Sequence, residues 1–203
     1  LNFQGLTNLT ELSCGSNKLT SLNLQGLTNL TELSCTYNQL TSLNLQGLIY
    51  LTTANLQNNQ LTSLNLSGTK QLKTLYLYDN QLKSLDLQES KNLRSLYCQR
   101  NQLTSLNLQE LTNLTNLYVE DNQLTTLNIK GTKVTIWLYF GGNINLNYIC
   151  CNEEMIISIA SSVKSKNLNC EVNSYCTFTP GGKYYVLKGK NMFDFNNNGC
   201  EGQ

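Results

Sequence analysis

An asparagine stands at positions 17, 38, 59, 80, 101, 122 and 143, a constant step of 21 from each to the next without one insertion. The apolar residue five places earlier keeps the same step, as Leu12, Leu33, Ala54, Leu75, Leu96, Leu117 and Leu138. A period held through seven copies leaves a chain few ways to fold, because every copy has to meet the next in one register. One copy buries too little to be stable alone. Stacking makes the core continuous, and the product is a quasi-one-dimensional array whose ends need caps.

Within the first copy, Leu12-Ser13-Cys14 alternates apolar and polar residues, as a strand does when one face is buried and the other wet. Asn17 follows, with a short amide able to bond backbone groups where the chain turns. A column of such asparagines satisfies turn amides that stacking would otherwise bury unpaired. Leu19, Leu22 and Leu24 then bring the chain back along the opposite side of the same core. With the strand and turn subtracted from so short a period, the return side has room for extended or 3₁₀ segments but not for a full helix. At about 4.8 Å per strand, six gaps predict a sheet about 29 Å across.

The stretch from Leu9 through Leu12, Asn17 and Leu19 resembles the leucine-rich repeat at almost every diagnostic position, and the match covers residues 1–149. The resemblance implies an α/β solenoid: a right-handed leucine-rich-repeat superhelix with a parallel concave β-sheet, short return segments, a C-terminal helical cap and the start of a β segment. The expected divisions are residues 1–149 for the solenoid, 150–176 for a disulfide-linked cap and 177–203 for the β-type segment. Residues 1–8, LNFQGLTN, align with residues 22–29, so the chain opens midway through a repeat, and a secretion signal and an N-terminal cap are expected upstream.

A net charge of +1, with the 14 Lys and Arg scattered, argues against nucleic acid as the partner. Apolar residues are interrupted every second or third position, so no membrane insertion is expected. The chain has no histidine, and neither paired carboxylates nor a glycine-rich phosphate loop appears, so it does not read as an enzyme.

The eight cysteines form two groups. Cys14, Cys35 and Cys98 share a column with Leu56, Leu77, Val119 and Phe140, where they act as small hydrophobes and are expected to stay reduced. Cysteine in this column resembles the cysteine-bearing repeats of some bacterial internalins. Cys150, Cys151, Cys170, Cys176 and Cys200 lie outside the repeats, where no core column accounts for them. Without CxxC spacing or histidine they are a poor zinc set, and disulfides are expected instead. Four cysteines allow three pairings; the expected one is Cys150 with Cys170 and Cys176 with Cys200, leaving Cys151 unassigned. Disulfides imply an oxidising compartment.

The seventh copy degenerates, with Thr135 for the opening leucine and Asn145 for the leucine after the asparagine. Residues 152–166 then carry helix signals: Asn152 at a cap position, Glu153 and Glu154 in the first turn, Lys164 and Lys166 in the last. Ile156, Ile159, Ala160 and Val163 are the predicted buried side, laid over the open end of the core. Leu146–Cys150, Asn173–Gly182 and Phe193–Cys200 resemble the region after the repeats in secreted leucine-rich-repeat proteins of Bacteroidetes, flavobacteria in particular. The resemblance implies secretion or a bacterial cell-surface location. Asp194, Asn196, Asn198 and Gly199 fit half of a calcium loop, so calcium is the one cofactor considered; a plain turn accounts for the same run.

The candidate site lies on the strands' outward positions, which run Ser13, Ser34, Asn55, then Tyr76, Tyr97, Tyr118 and Tyr139. Tyr78 and Trp137 are neighbours, and the following positions bring Asp79, Arg100, Glu120 and Asp121 alongside. Stacked tyrosine is good strand chemistry in its own right. It is also large contact area at low entropic cost, which binding surfaces favour. The expected function is an extracellular or cell-surface protein-binding scaffold, adhesin-like or receptor-like, with a protein partner on the concave face; the alternative is a glycan stacked on the Tyr and Trp rings.

Overall fold

A computed structural model describes residue 3, residues 5–135 and residues 137–176. In chain order the strands are β1 (Glu11–Ser13), β2 (Glu32–Ser34), β3 (Ser42–Asn44), β4 (Thr53–Asn55), β5 (Ser63–Asn65), β6 (Thr74–Tyr76), β7 (Ser95–Tyr97), β8 (Asn116–Tyr118), β9 (Thr126–Asn128), β10 (Trp137–Tyr139), β11 (Tyr148–Cys150) and β12 (Glu171–Asn173). One strand per copy builds a seven-stranded parallel sheet ordered β1-β2-β4-β6-β7-β8-β10. Its partners lie one period apart throughout, as in Leu12 with Leu33, Leu75 with Leu96 and Leu117 with Leu138. The central residue of each strand points inward, and Leu33, Ala54, Leu75, Leu96 and Leu117 are fully buried.

The return side is extended, as so short a period requires. There β3 pairs with β5, and β9, β11 and β12 form a second parallel ladder. Short turns whose N–H bonds three residues back, such as Leu27 to Leu24 at 3.1 Å and Leu30 to Leu27 at 3.0 Å, return the chain to the next strand.

The asparagine column stitches coil to coil. The Asn101 amide donates to the Leu77 carbonyl one coil back at 3.0 Å and to Cys98 in its own coil at 3.1 Å. Its oxygen accepts from the Leu82 N–H at 3.0 Å. Asn38, Asn59, Asn80, Asn122 and Asn143 repeat this pattern. All are buried, so each amide replaces water for backbone groups that no strand pairs.

Beyond the seventh copy the return ladder runs on without a break, β11 against β9 and then β12 against β11. A 3₁₀ turn (Glu153–Met155) and helix α1 (Ile156–Ser165) lie between them. The helix buries Met155, Ile159 and Val163 in the solenoid core, while Ile156 is half-buried and Ala160 exposed. The buried stripe is thus rotated from the expected one. Asn152 is already committed: its oxygen accepts from Gly131 N–H at 3.0 Å and its amide donates to Thr132 O at 3.4 Å, so it caps nothing. The tight turn that follows sets the phase of the helix and brings Met155 inward.

The expected pairing of Cys150 with Cys170 is overturned, and with it Cys176 with Cys200: the disulfide joins Cys150 to Cys176, with Cα atoms 5.3 Å apart. Register explains it. Cys150 lies opposite Asn173, and Glu171 donates to Asn147 O, so Cys170 falls at the far end of the strand from Cys150. The turn closed by Tyr175 N–H on Asn173 Oδ1 at 2.8 Å then brings Cys176 back. Cys170 is a half-buried free thiol, and Cys151, with no exposed surface, is a core residue like Cys14, Cys35 and Cys98, all of them free. Cys200, the Asp194, Asn196 and Asn198 run and the whole of 177–203 lie outside the described residues. Among the described residues no helix is long and apolar enough to cross a membrane.

Candidate partner-binding face

Side chains two residues apart on a strand share its face, so the wet side of the seven-stranded sheet is a grid of three columns. The first reads Glu11, Glu32, Thr53, Thr74, Ser95, Asn116 and Trp137; the second Ser13, Ser34, Asn55, Tyr76, Tyr97, Tyr118 and Tyr139; the third Gly15, Thr36, Gln57, Tyr78, Gln99, Glu120 and Gly141. The acidic and hydroxyl end gives way to the aromatic end between β4 and β6.

In the second column the rings stack continuously, with centroids 4.5 Å apart for Tyr76 and Tyr97, 4.6 Å for Tyr97 and Tyr118, and 4.6 Å for Tyr118 and Tyr139. The spacing is that of neighbouring strands, so the backbone sets the stack. Each inner ring is covered on both faces and offers solvent its edge and hydroxyl. Partial burial pushes the phenols of Tyr76 and Tyr118 up, keeping them neutral donors. Trp137 is half-exposed beside the column, on the last strand.

The charged residues lie where the chain leaves the sheet. Arg100 grips Asp79 with both fork nitrogens, at 2.6 and 2.8 Å, and its guanidinium lies 5.8 Å from the Tyr78 ring centre. This hydrogen bonding holds the Asp79 carboxyl below its ordinary value. Asp79, Arg100 and Asp121 belong to a column that also holds Ser16, Tyr37 and Asn58, and all six have φ between 52° and 58°. That left-handed conformation suits Asn and Asp; Tyr37 and Arg100 adopt it at a cost. The seventh member, Gly142 at φ 72°, also has no room for a side chain, since a Cβ would lie 2.9 Å from the backbone N of Asp121.

Alternation along the strands also brings Gln57 and Gln99, which sequence reasoning did not single out, into the column of the expected Glu120. Gln57 Oε1, Gln99 Oε1 and Glu120 Oε2 are buried acceptors without a hydrogen-bond partner, and Asn58 Nδ2 is a donor in the same condition. Burial pushes the Glu120 carboxyl up. The aromatic end therefore combines stacked phenols with an Arg–Asp pair. Of the expected site residues, Tyr76, Tyr97, Tyr118 and Tyr139 form one stack, Tyr78, Asp79 and Arg100 a second cluster, and Glu120 and Asp121 border both. Trp137 flanks the stack without joining it.

No protein-family model matches this chain, and no curated protein matches it either. Solved structures do. A leucine-rich-repeat protein from Bacteroides thetaiotaomicron aligns at TM-score 0.58 and 18% identity, over 76% of this chain and 22% of its own. The functional domain of InlJ from Listeria monocytogenes, described as including a cysteine ladder, aligns at TM-score 0.49 and 25% identity over 85% of this chain and 45% of its own. The internalin InlF of the same species aligns at TM-score 0.44 and 21% identity over 84% of this chain and 68% of its own. The chain thus spans less than half of the first two proteins. The fold is a leucine-rich-repeat solenoid.

Proposed function

We propose that this leucine-rich-repeat solenoid is a protein-binding scaffold whose partner docks on the tyrosine end of the seven-stranded sheet, outside the cell or on its surface. The observation that carries the reading is the concentration of aromatic and charged groups on one half of the solvated sheet face, Tyr76, Tyr97, Tyr118 and Tyr139 where the same column presents Ser13, Ser34 and Asn55 on the first three coils. The stack adds rigid aromatic area, and Arg100 a guanidinium already oriented by Asp79. A disulfide between Cys150 and Cys176 supports an oxidising location. The glycan reading of this face has less support, because sugars stack on ring faces and those of Tyr97 and Tyr118 are covered by their neighbours.

Pull-down from the native environment, with wild type and a Tyr97→Ala/Tyr118→Ala double variant as baits, tests the site. Each single truncation should weaken the recovered partner by about 2 kcal/mol or more, roughly thirty-fold. Ser13→Ala, at the far end of the same column, should leave affinity unchanged. Equal recovery by both baits would sink the proposal.

A further inference from the structure

A cleft of about 1050 Å³ runs along the edge where the chain enters its strands, from Asn8 to Glu89, away from the tyrosine stack. It is an open groove, not an enclosed pocket. Thr10, Thr31 and Thr52 line it in consecutive coils, with Ile49 and Tyr50 among its walls.

Ile49 and Tyr50 break the repeat. At the place of Tyr50 the two preceding coils carry Asn8 and Asn29, the next coil Gln71 and the one after it Asn92, and two of these asparagines tie coil to coil: Asn29 donates to Thr7 O and Asn92 to Lys70 O, each at 2.9 Å. Tyr50 gives up the amide that makes this tie and leaves its ring 53% exposed, next to an Ile49 that is 49% exposed. Among the described residues no second ring stacks on Tyr50, unlike the sheet tyrosines; its column neighbours are Asn29 and Gln71. An exposed aromatic and an exposed isoleucine gain nothing for the fold where asparagine would serve it. They do provide an apolar platform over a cleft.

The polar lining selects the kind of ligand. Backbone N–H groups along this edge are occupied, Thr31 on Thr10 O at 2.7 Å, Thr52 on Thr31 O at 2.8 Å and Lys73 on Thr52 O at 2.8 Å, so an extended peptide finds no free ladder to join. The hydroxyls of Thr31 and Thr52 donate to the carbonyls of Thr10 and Thr31, which leaves their oxygens as acceptors. Asn29 commits one amide hydrogen to Thr7 O and offers its carbonyl oxygen. Lys70 and Glu89 in the lining cancel in charge. Acceptors in a row, amides from Asn8 and Gln71, and one exposed tyrosine are complementary to a neutral ligand with many O–H donors and a C–H face. We propose that this cleft binds a neutral oligosaccharide, with Tyr50 as its stacking platform.

The test is an array of neutral hexasaccharides of glucose, galactose, mannose and N-acetylglucosamine, followed by calorimetry with whichever is retained. The informative variant is Tyr50→Asn, which installs the asparagine of the preceding coil and should melt no lower than wild type. Wild type should retain at least one hexasaccharide, Tyr50→Asn should bind it at least ten-fold more weakly, and Tyr97→Ala should bind it as wild type does. Retention of no hexasaccharide, equal binding by Tyr50→Asn, or loss on Tyr97→Ala would each overturn the proposal. So would a decapeptide library yielding a Tyr50-dependent peptide while the sugars fail. Because Tyr97 and Tyr50 are varied separately, failure here leaves the protein-binding reading of the sheet face standing.

Discussion

Replacing Asn101 by alanine removes two amide hydrogens and one acceptor from the interior of the asparagine column. The amide nitrogen lies 3.0 Å from Leu77 O, 3.1 Å from Cys98 O and 3.4 Å from Gln99 O, and the Leu82 N–H loses its acceptor, at 3.0 Å. Three net hydrogen bonds at about 1 kcal/mol each, plus about 1 kcal/mol for leaving a buried N–H unpaired, predict a loss of about 4 kcal/mol. Asn17 heads the same column and supplies the internal control. It is exposed and donates within its own coil, to Cys14 O at 3.0 Å and Gly15 O at 2.9 Å, so Asn17→Ala should cost only about 1 kcal/mol. Urea unfolding followed by circular dichroism, with the slope checked for constancy, measures both. A cost below about 1.5 kcal/mol for Asn101→Ala, or equal costs at the two positions, would refute the account of the column as backbone satisfaction.

Cleavage after Glu171 separates Cys170 from Cys176, so non-reducing peptide mapping should find Cys150 linked to the fragment carrying Cys176; a link to Cys170 would refute the register given for the cap. Cys150→Ser opens a loop with sequence separation 26 and should destabilise the chain by about 3.5 kcal/mol on the chain-entropy account, read from the urea midpoint. Arg100 holds the Asp79 carboxyl below its ordinary value, so the pair stabilises the fold above the unfolded-state pKa of about 3.9 and loses that stabilisation as pH falls through the folded value. With side chains 50% and 34% exposed the contribution stays below about 1 kcal/mol. The stability difference between wild type and Arg100→Ala should therefore be flat from about pH 8 to pH 5 and shrink below about pH 4, and a difference that grows on acidification would contradict the sign.

The period of 21 was enough by itself to determine the stack, its register and the inward leucines, because a residue repeated at a fixed step must meet its own copies. It also placed the four sheet tyrosines in one column, since alternation along a strand is a property of the backbone. What local pattern did not contain was the phase of everything that touches more than one coil. Cys150 chose Cys176 over Cys170 because β12 pairs with β11 in a particular register, and the interval between two cysteines carries no information about that. The capping helix turned Met155 inward because Asn152 was already bonded to Gly131 and Thr132, a competition between coils that a helical wheel does not include. The same holds for the sites. Sequence put tyrosines side by side, but only packing decided that the rings of the sheet cover one another's faces while Tyr50, where the preceding coil keeps asparagine, stands half-exposed with no ring upon it. Exposure belongs to the assembled surface, and residues distant along the chain decide it.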